Sequence, residues 1–513
     1  MILTKHGQRP ISLAVFGLSL IIIIYNIFFI TYGLQKHAAF QTAGFDLGIW
    51  DQKVWGLLNA SPFVITTQAE TNVSLGDHVD PVVLWLLAPF YGLYASPKTL
   101  IIVQVVFVSL GALPIFWLAR RHLRSSGAGL AFAAVYLLFP ALGGALTFDL
   151  HAITIATPLL AYALWAIQRQ HYRLFMVLAI LAMGCQEDVP LLTFMMGLYI
   201  AGVQRQWRVG SAAMAVSLLW FALANFLIIP SFSLEDDDIH LYRYEALGSS
   251  TGEVILTIIT RPDLILEQIF AADKKLYWLR LTMPTAFTAL FDPLTLLMTA
   301  PSLLINTLST YPPSYQLDRF HASAPLVPFI VVASINGVAR LVNFAGPRFK
   351  HVKPAFIRNS LVVMVLIVTL AYQVQFGHTP IGGYFEWPVV TEHHRQTRAM
   401  LARIPPQAAL AAQNNLVSHV SQREWIFILP KRAQQGREAD YIAIDMTGPL
   451  YPYDYIETYC ADVQEFVTSP LYGLIFAGNG LLLFQRNAAD TATYVPVPPC
   501  SEGGDIVKLK GTQ

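Results

Sequence analysis

The side chains that could do chemistry in this sequence lie in short clusters at the ends of long apolar segments. The clusters are FDLGIWDQ (Asp46, Asp51), LGDH (Asp77, His78), FDLH (Asp149, His151), QED (Glu187, Asp188) and DRFH (Asp318, Arg319, His321). Carboxylates and imidazoles transfer protons, and guanidinium groups hold phosphates. Ionisable groups at membrane depth are costly, so five clusters emerging on one face of a bilayer would indicate a functional site.

The first cluster contains two carboxylates that could enter a site. On a helix, a spacing of five residues places Asp46 and Asp51 about 140° apart, so the two carboxylates do not share a face. We expect Asp46, which is nearer the first apolar segment, to point into the site. The alternative is that Asp46 caps a helix beginning at Leu47, a common role of Asp. Asp80 precedes a proline and is expected to be such a cap.

Two further clusters pair an acid with a histidine. Asp77 and His78, together with Asp149 and His151, could form a metal site or a general-base site with a cation facing a phosphate. The sequence has no closely spaced His-X3-His or Cys pair, which disfavours metal without excluding a divalent ion. All four are candidate site residues.

The remaining clusters are expected to hold the phosphate. Tyr315, Arg319 and His321 belong to YPPSYQLDRFH, where the guanidinium can donate two parallel hydrogen bonds to a phosphate. The alternative for Arg319 is an exposed pair with its neighbour Asp318, worth less than about 1 kcal/mol. Glu187 and Asp188 are also candidate binding residues, although a turn at headgroup level would equally tolerate them. The acidic run 235–238 is interpreted as a solvated loop.

Composition sets the class of protein. Hydrophobic residues make up 55% of the 513 residues, charged residues 13%, and the mean hydropathy is +0.51. A soluble domain is about 25% charged, so the chain is predicted to be a polytopic membrane protein. Its net charge of +1 gives no basis for a nucleic-acid partner.

Basic loops set the predicted topology of a transmembrane domain over residues 1–376, with a cytoplasmic N-terminus. It has an external loop over 32–98 containing an interfacial helix (Pro81–Ala95), and a second external loop over 230–275. About eleven spans are expected: 11–30, 99–119, 128–146, 153–167, 174–183, 189–203, 211–229, 276–291, 293–308, 325–339 and 361–375. The two spans before residue 309 would form a hairpin turning at Asp292.

The sequence changes character after Phe376. Strand-sized apolar runs (AALAAQ, WIFILP, DYIAID and the hairpin-like YGLIFAGNGLLLFQR) predict a small α/β domain over 377–513, outside the cytoplasm. In that compartment Cys460 and Cys500 can be oxidised, and we predict a disulfide between them, with two separate thiols as the alternative.

The motifs together resemble a known family. FDLGIWDQ, LGDHVDPVVLWLLAPFYGLY, FDLHAITIATPLLAYALW, QEDVPLL, YPPSYQLDRFHASA and AAQNNLVSHVSQRE occur in order and resemble the bacterial membrane family DUF2079. Gln186 departs from that family, where lysine is usual, which weakens any charge pairing with Glu187. The family in turn is similar in architecture to the GT-C glycosyltransferases, which use polyprenyl-phosphate-linked sugars. That similarity implies that Asp46 is the catalytic base and that Asp149, which matches the second-loop acid, is also catalytic. Asp77, His78 and His151 are then expected to bind substrate.

The hypothesis is therefore an inner-membrane enzyme that moves a sugar, with inversion, from a polyprenyl-phosphate carrier to an extracytoplasmic glycan, lipid or protein. A lipid-linked sugar donor is expected, and no other cofactor is certain. One alternative is a transporter or lipid-handling protein that relays protons, although no internal repeat supports it. The other is a non-catalytic scaffold that binds a partner through Gln413, Asn414 and His419, residues that turn and helix-start chemistry also explains.

Overall fold

The computed structural model describes residues 13–67, 73–233, 241–349 and 351–500 of the chain. The acidic run 235–238 and the start of the first apolar segment, residues 11–12, lie outside these ranges. Within them the chain is mostly helical, with a small mixed sheet towards the C-terminus. The fold is thus a helical membrane protein with a C-terminal α/β region, which here denotes residues 392–500.

Five helices in the described part of the chain are long and apolar enough to cross a bilayer. They are Leu13–Ala38, Pro97–His122, Trp207–Phe232, Ala324–Ala345 and Pro354–Phe376. The helices Ser126–Leu137 and Pro140–Thr147 would form a sixth span, bent by 43°. The bend falls at Pro140, which has no backbone N–H to continue a helix. Shorter apolar helices occupy three more predicted segments: Ala152–Gln168, Tyr172–Met183 and Val189–Gly202.

The predicted helices over 276–291 and 293–308 are wrong as continuous elements. The structure divides this stretch into short helices and turns: Lys275–Thr282, Met283–Thr285, Thr288–Phe291, Pro293–Leu297 and Ala300–Leu308. Ala286 and Phe287 adopt left-handed backbone angles (φ 50° and 57°), and prolines begin three of the pieces. Each proline removes a backbone hydrogen-bond donor and interrupts the helix. The apolar pattern of the sequence does not show these interruptions.

The helix Ala152–Gln168 lies at the centre of the helical part. Thirteen of its 17 residues are buried, so it is covered on nearly all sides. It packs against Pro97–Leu110, Tyr172–Met183 and Val327–Ala345. At a rise of 1.5 Å per residue it is about 25 Å long, with the FDLH cluster at its start and Arg169 just after its end.

The C-terminal α/β region contains strands in each of the four predicted runs. The sheet order is Ile426–Ile428, Leu410–Ala412, Tyr441–Asp445, Leu481–Arg486, Tyr472–Gly478, with the first three parallel and the last two antiparallel to their neighbours. Asn479 and Gly480 both have positive φ (50° and 81°), the geometry of a tight hairpin turn. Helices Glu392–Leu401 and Ile456–Thr468 accompany the sheet, and Cys460 is disulfide-bonded to Cys500.

Candidate functional site

One cavity collects most of the predicted site residues. It has a volume of about 760 Å³ and lies between the helical part and the C-terminal α/β region. Six predicted residues line it: Asp46, Asp77, His78, Asp149, His151 and His321. Three cationic residues that the sequence analysis did not single out also line it: Lys36, Lys53 and Arg243. Four of the five clusters therefore line one space with an acid or a histidine, and the fifth, QED, lines it through Gln186.

Asp46 lies on a π-helical turn, Gly44–Gly48, that continues into the helix Ile49–Leu58. Ala43 occupies the N-cap position of this turn, so Asp46 is not the helix cap of the alternative interpretation. Its side chain is 21% exposed, and its Oδ1 lies 3.2 Å from Nε2 of His151. A carboxylate held by an imidazole and open to a cavity is placed to accept a proton.

Asp149 is bound by the chain segment next to Asp46. It accepts hydrogen bonds from Nζ of Lys36 (2.8 Å) and from the backbone N–H of Ala43 (2.6 Å). Burial raises the pKa of Asp149, the nearby Lys36 ammonium lowers it, and the charge of Asp46 raises it again; the net pKa is above the usual value. Asp149 thereby fixes the start of the turn that carries the candidate base.

A stack of rings forms another wall. His151 and His321 are parallel with centroids 3.5 Å apart, and Phe320 lies 3.8 Å from His321. Burial and the neighbouring His151 and Arg243 lower the pKa of His321 well below its usual value. A neutral His321 can stack on His151 without repulsion.

His78 is the cation of the Asp77 cluster. Its Nδ1 lies 2.9 Å from Oε1 of Glu187, and its Nε2 lies 3.6 Å from Oδ1 of Asp77. Burial alone would lower the pKa of His78, but the carboxylates of Asp77 and Glu187 raise it to about 10. For the same reason the pKa of Glu187 falls, since the effect of His78 outweighs burial. An imidazolium therefore faces the cavity at neutral pH.

Lys53 and Asp80 form a buried ion pair beside His78. The Nζ–Oδ2 distance is 2.6 Å, and the side chains are 2% and 0% exposed. Asp80 occupies the predicted N-cap position of the helix Pro81–Leu93, with Pro81 in the first turn, but its side chain makes no capping hydrogen bond. The ammonium of Lys53 lies 4.4 Å from the centroid of the Trp50 ring. The need to neutralise this buried carboxylate explains why Asp80 pairs rather than caps.

Arg243 comes from the second predicted external loop. Its guanidinium lies 4.7 Å from the Tyr311 ring centroid and 3.3 Å from the hydroxyl of Tyr242. No carboxylate of the described ranges forms an ion pair with it. Arg243 lies on the short helical turn Leu241–Tyr244, and no motif in the sequence distinguished it from a solvated loop arginine.

Four of the predicted residues do not line the cavity, although one of them, Glu187, contacts the lining residue His78. Arg319 is exposed and lies over the ring of Tyr384, 4.6 Å from the centroid. Tyr315 donates to Asp273 (2.8 Å), outside the cavity. Asp188 does not line the cavity either; burial and the charge of Glu187 raise its pKa to about 7. Within the DRFH loop it is His321 that turns inward, which leaves the arginine outside.

The acid–histidine clusters were also candidates for a metal site. Across the residues that the structure describes, no group of three or more His, Cys, Asp or Glu side chains is placed to hold one. The acid–histidine clusters instead form ion pairs with each other or with lysine.

The C-terminal α/β region supplies one wall through Asn414, Asn415, Pro449 and Tyr451. Oδ1 of Asn414 accepts from the backbone N–H groups of Gly44 (2.8 Å) and Phe45 (3.1 Å), at the start of the Asp46 turn. A Cβ on Gly44 would lie 2.7 Å from Cβ of Val417, so glycine permits this close approach. The region thus contacts the backbone that positions the candidate base.

Asp51, five residues after Asp46, lies outside the cavity. It lies where the helical part contacts the C-terminal α/β region. Its carboxylate is fully buried and accepts from the hydroxyls of Tyr91 and Ser421, the latter at 2.6 Å. Burial raises the pKa of Asp51 to about 6, with hydrogen bonds from Ser421, Tyr91 and Gln422 opposing the rise. The expectation that only one of the two carboxylates enters the cavity is met by this geometry.

Comparison with solved structures identifies a shared fold. ArnT from Cupriavidus metallidurans bound to undecaprenyl phosphate superposes with a TM-score of 0.50 at 13% identity, over 93% of this chain and 98% of that one. ArnT in its apo state gives 0.49 at 13% identity, over 92% and 98%. The fold is therefore ArnT-like, in agreement with the GT-C resemblance of the sequence.

Comparison with sequences identifies the family. No curated protein matches the chain. The model of the family described as "Predicted membrane protein (DUF2079)" matches residues 36–483, which include every cavity residue named above. The chain belongs to the DUF2079 family of membrane proteins.

Proposed function

We propose that this protein is a membrane glycosyltransferase that moves a sugar from a polyprenyl-phosphate donor to an acceptor outside the cytoplasm. The observation that carries the proposal is the cavity of about 760 Å³ in which a carboxylate, Asp46, faces cationic side chains. Sugar transfer needs both: a base at the acceptor and positive charge at the departing phosphate. The undecaprenyl phosphate bound to ArnT, which shares the fold, supports a lipid phosphate as ligand.

The proposed step is an inverting displacement. The acceptor oxygen forms a bond to the anomeric carbon while its proton passes to Asp46. The bond between that carbon and the phosphate oxygen breaks, and the lipid phosphate leaves with the electron pair. His151, 3.2 Å from Asp46, orients the carboxylate. Asp149 acts indirectly, by holding Ala43 at the start of the turn.

The phosphate is assigned to the cations at the cavity wall. His78 and Lys53 each already face a carboxylate, so they supply a positive field rather than a free ligand. Arg243 has no such partner in the described ranges, and its planar guanidinium can donate two hydrogen bonds to phosphate oxygens. We therefore assign to Arg243 the contact that the sequence assigned to Arg319.

The membrane topology is part of the proposal. A transmembrane domain over 1–376 with about eleven crossing segments, two of them broken, precedes an extracytoplasmic domain over 377–513. Asp292 supports the turn between the broken segments, because it pairs with Arg340 (2.7 Å) on the predicted cytoplasmic side. The cavity then opens at the outer leaflet, where a polyprenyl-linked sugar can reach it.

The test is a transfer assay on the purified full chain in lipid nanodiscs. A panel of undecaprenyl-phosphate sugars serves as donor, extracted cell-envelope material as acceptor, and released undecaprenyl phosphate is measured. Wild type should turn over at least one donor, and Asp46→Asn should lower kcat by about 10²–10⁴-fold, the usual contribution of a general base. Asp273→Asn, a carboxylate outside the cavity, is the matched control. Unchanged turnover by a folded Asp46→Asn variant would remove Asp46 as the base.

A further inference from the structure

A second recess lies at the opposite end of the molecule's central helix. Its volume is about 410 Å³, and its walls come from the ends of the helices Ala112–His122 and Ala152–Gln168: Trp117, Leu118, Arg120, Arg121, Trp165 and Arg169. Since the helix Ala152–Gln168 is about 25 Å long, the recess is separated from the cavity by nearly the 30 Å of a bilayer's hydrocarbon core. It lies on the face where the basic loops are predicted.

Three arginines line this recess without an acidic residue among its lining residues. Arg120 and Arg121 follow each other at the end of one helix, and Arg169 is the C-cap of the other. None of the three forms an ion pair with a carboxylate of the described ranges. The helix C-termini offer only a partial negative charge, which falls off within the last turn. Three like charges around one space therefore favour an anion from outside the chain.

The rings beside the arginines indicate where that anion comes from. The Trp117 and Trp165 rings pack with centroids 5.3 Å apart, and Trp117 is 39% exposed. Tryptophan is enriched where membrane proteins meet lipid headgroups, because its ring is apolar and its N–H is polar. An indole pair next to guanidinium groups suits a molecule with acyl chains on one side and a phosphate on the other.

We propose that this recess binds the phosphodiester headgroup of an anionic phospholipid from the leaflet opposite the catalytic cavity. Guanidinium groups bind phosphate oxygens in a forked geometry, and basic recesses between membrane helices recognise such headgroups. Basic residues are expected on this face for topology alone, but topology requires neither their convergence on a recess nor the paired indoles. The proposal is independent of sugar transfer.

The experiment is native mass spectrometry of the full chain released from detergent with phosphatidylglycerol or with phosphatidylcholine. Wild type should retain phosphatidylglycerol in preference to phosphatidylcholine. The triple variant Arg120→Gln, Arg121→Gln, Arg169→Gln should lower that retention at least tenfold. The matched control is Arg205→Gln with Arg208→Gln, exposed arginines outside the recess. Thermal unfolding of each variant establishes that it is folded.

Three results would overturn the proposal. One is equal retention of phosphatidylglycerol by wild type and the triple variant. Another is an equal loss in the Arg205/Arg208 control, which would mean that net charge alone attracts the lipid. The third is displacement of the lipid by millimolar inorganic phosphate that binds the recess in its place, which would identify a soluble phosphate as the ligand. If the triple variant does not fold, Arg169→Gln alone should give a smaller loss, and unchanged retention by it would contradict the proposal.

Discussion

The charged side chains near the two ends of the helix Ala152–Gln168 differ in whether they have partners of opposite charge. At its start, each carboxylate of the cavity has a cationic or imidazole partner: Asp46 with His151, Asp149 with Lys36, Asp80 with Lys53, and Asp77 with His78. Beyond its last turn, three arginines share a recess with no acidic partner in the described ranges. Each paired group in the cavity can exchange its partner during a reaction while the total charge of the cavity stays close to zero. The unpaired guanidinium groups of the recess need an anion from outside the chain.

Removing one member of a cavity pair should be the most damaging change. Lys53→Met leaves the carboxylate of Asp80 buried without a partner, which should cost about 3–5 kcal/mol of stability. Thermal unfolding in detergent measures this loss. The double variant Lys53→Met, Asp80→Asn should recover most of it, because the uncompensated charge is gone. Arg120→Gln in the recess should change stability by less than about 0.5 kcal/mol; a loss equal to that of Lys53→Met would break the comparison.

Asp51 extends the comparison to a carboxylate held by hydroxyls and an amide, with no cation. Its folded pKa of about 6 exceeds the ordinary value, so the folded state takes up a proton first as the pH falls. The protonation of Asp51 therefore stabilises the folded state by about 2–3 kcal/mol. This contribution is complete below about pH 4 and is lost as the pH rises through 6. Asp51→Asn removes the titration.

The measurement is therefore the difference in unfolding free energy between wild type and Asp51→Asn, at pH 4.5 and at pH 7.5. The unfolding free energy of the wild type, relative to that of the variant, should be higher at pH 4.5 than at pH 7.5. Other titratable groups contribute equally to the stability of both proteins, so their contributions cancel in this difference. A difference that is the same at both pH values would mean that Asp51 does not titrate in this range.

Asn414 tests whether the C-terminal α/β region is part of the site. Asn414→Ala removes the acceptor for the N–H groups of Gly44 and Phe45, which should loosen the Asp46 turn and lower kcat about tenfold, about 1.4 kcal/mol. KM for the donor should change little, since Asn414 is not assigned to the phosphate. Asn414→Ser, which keeps a side-chain oxygen, should restore part of the rate. A tenfold rise in KM with unchanged kcat would instead make Asn414 a binding residue.

Arg319 should give the smallest effect. Because it lies over Tyr384 outside the cavity, Arg319→Gln should change donor turnover by less than about twofold, whereas Arg243→Gln should raise KM for the donor about tenfold or more. The same transfer assay compares the two variants. If both variants change donor turnover and KM equally, Arg319 would have to be assigned to the phosphate site.

The sequence was sufficient to predict the features that depend on local pattern. The strands around Leu410, Ile426, Tyr441 and Leu481 follow from short apolar runs, and the positive φ of Gly480 follows from its Gly-Asn-Gly turn. Likewise, the acids and histidines at the ends of apolar segments identified five clusters, four of which line the cavity with an acid or a histidine. These features are set by residues close together in the chain.

Partners that come from distant segments could not be predicted. The N-cap position of Asp80 follows from Pro81, but no local pattern indicates that its side chain is buried against Lys53 from another helix. In DRFH, neighbouring residues point in different directions, and only the fold decides that His321 faces inward and Arg319 outward. Such outcomes depend on which long-range contacts neutralise a buried charge, and one sequence does not specify them.

The central claim is that a lipid phosphate binds beside Asp46. A cryo-electron microscopy structure of the full chain in nanodiscs with undecaprenyl phosphate tests it most directly. The account predicts phosphate density inside the cavity, within about 4 Å of the Arg243 guanidinium, and with the lipid chain leaving towards the outer leaflet. Phosphate density outside the cavity, at Arg319 or in the arginine recess with the cavity empty, would contradict it.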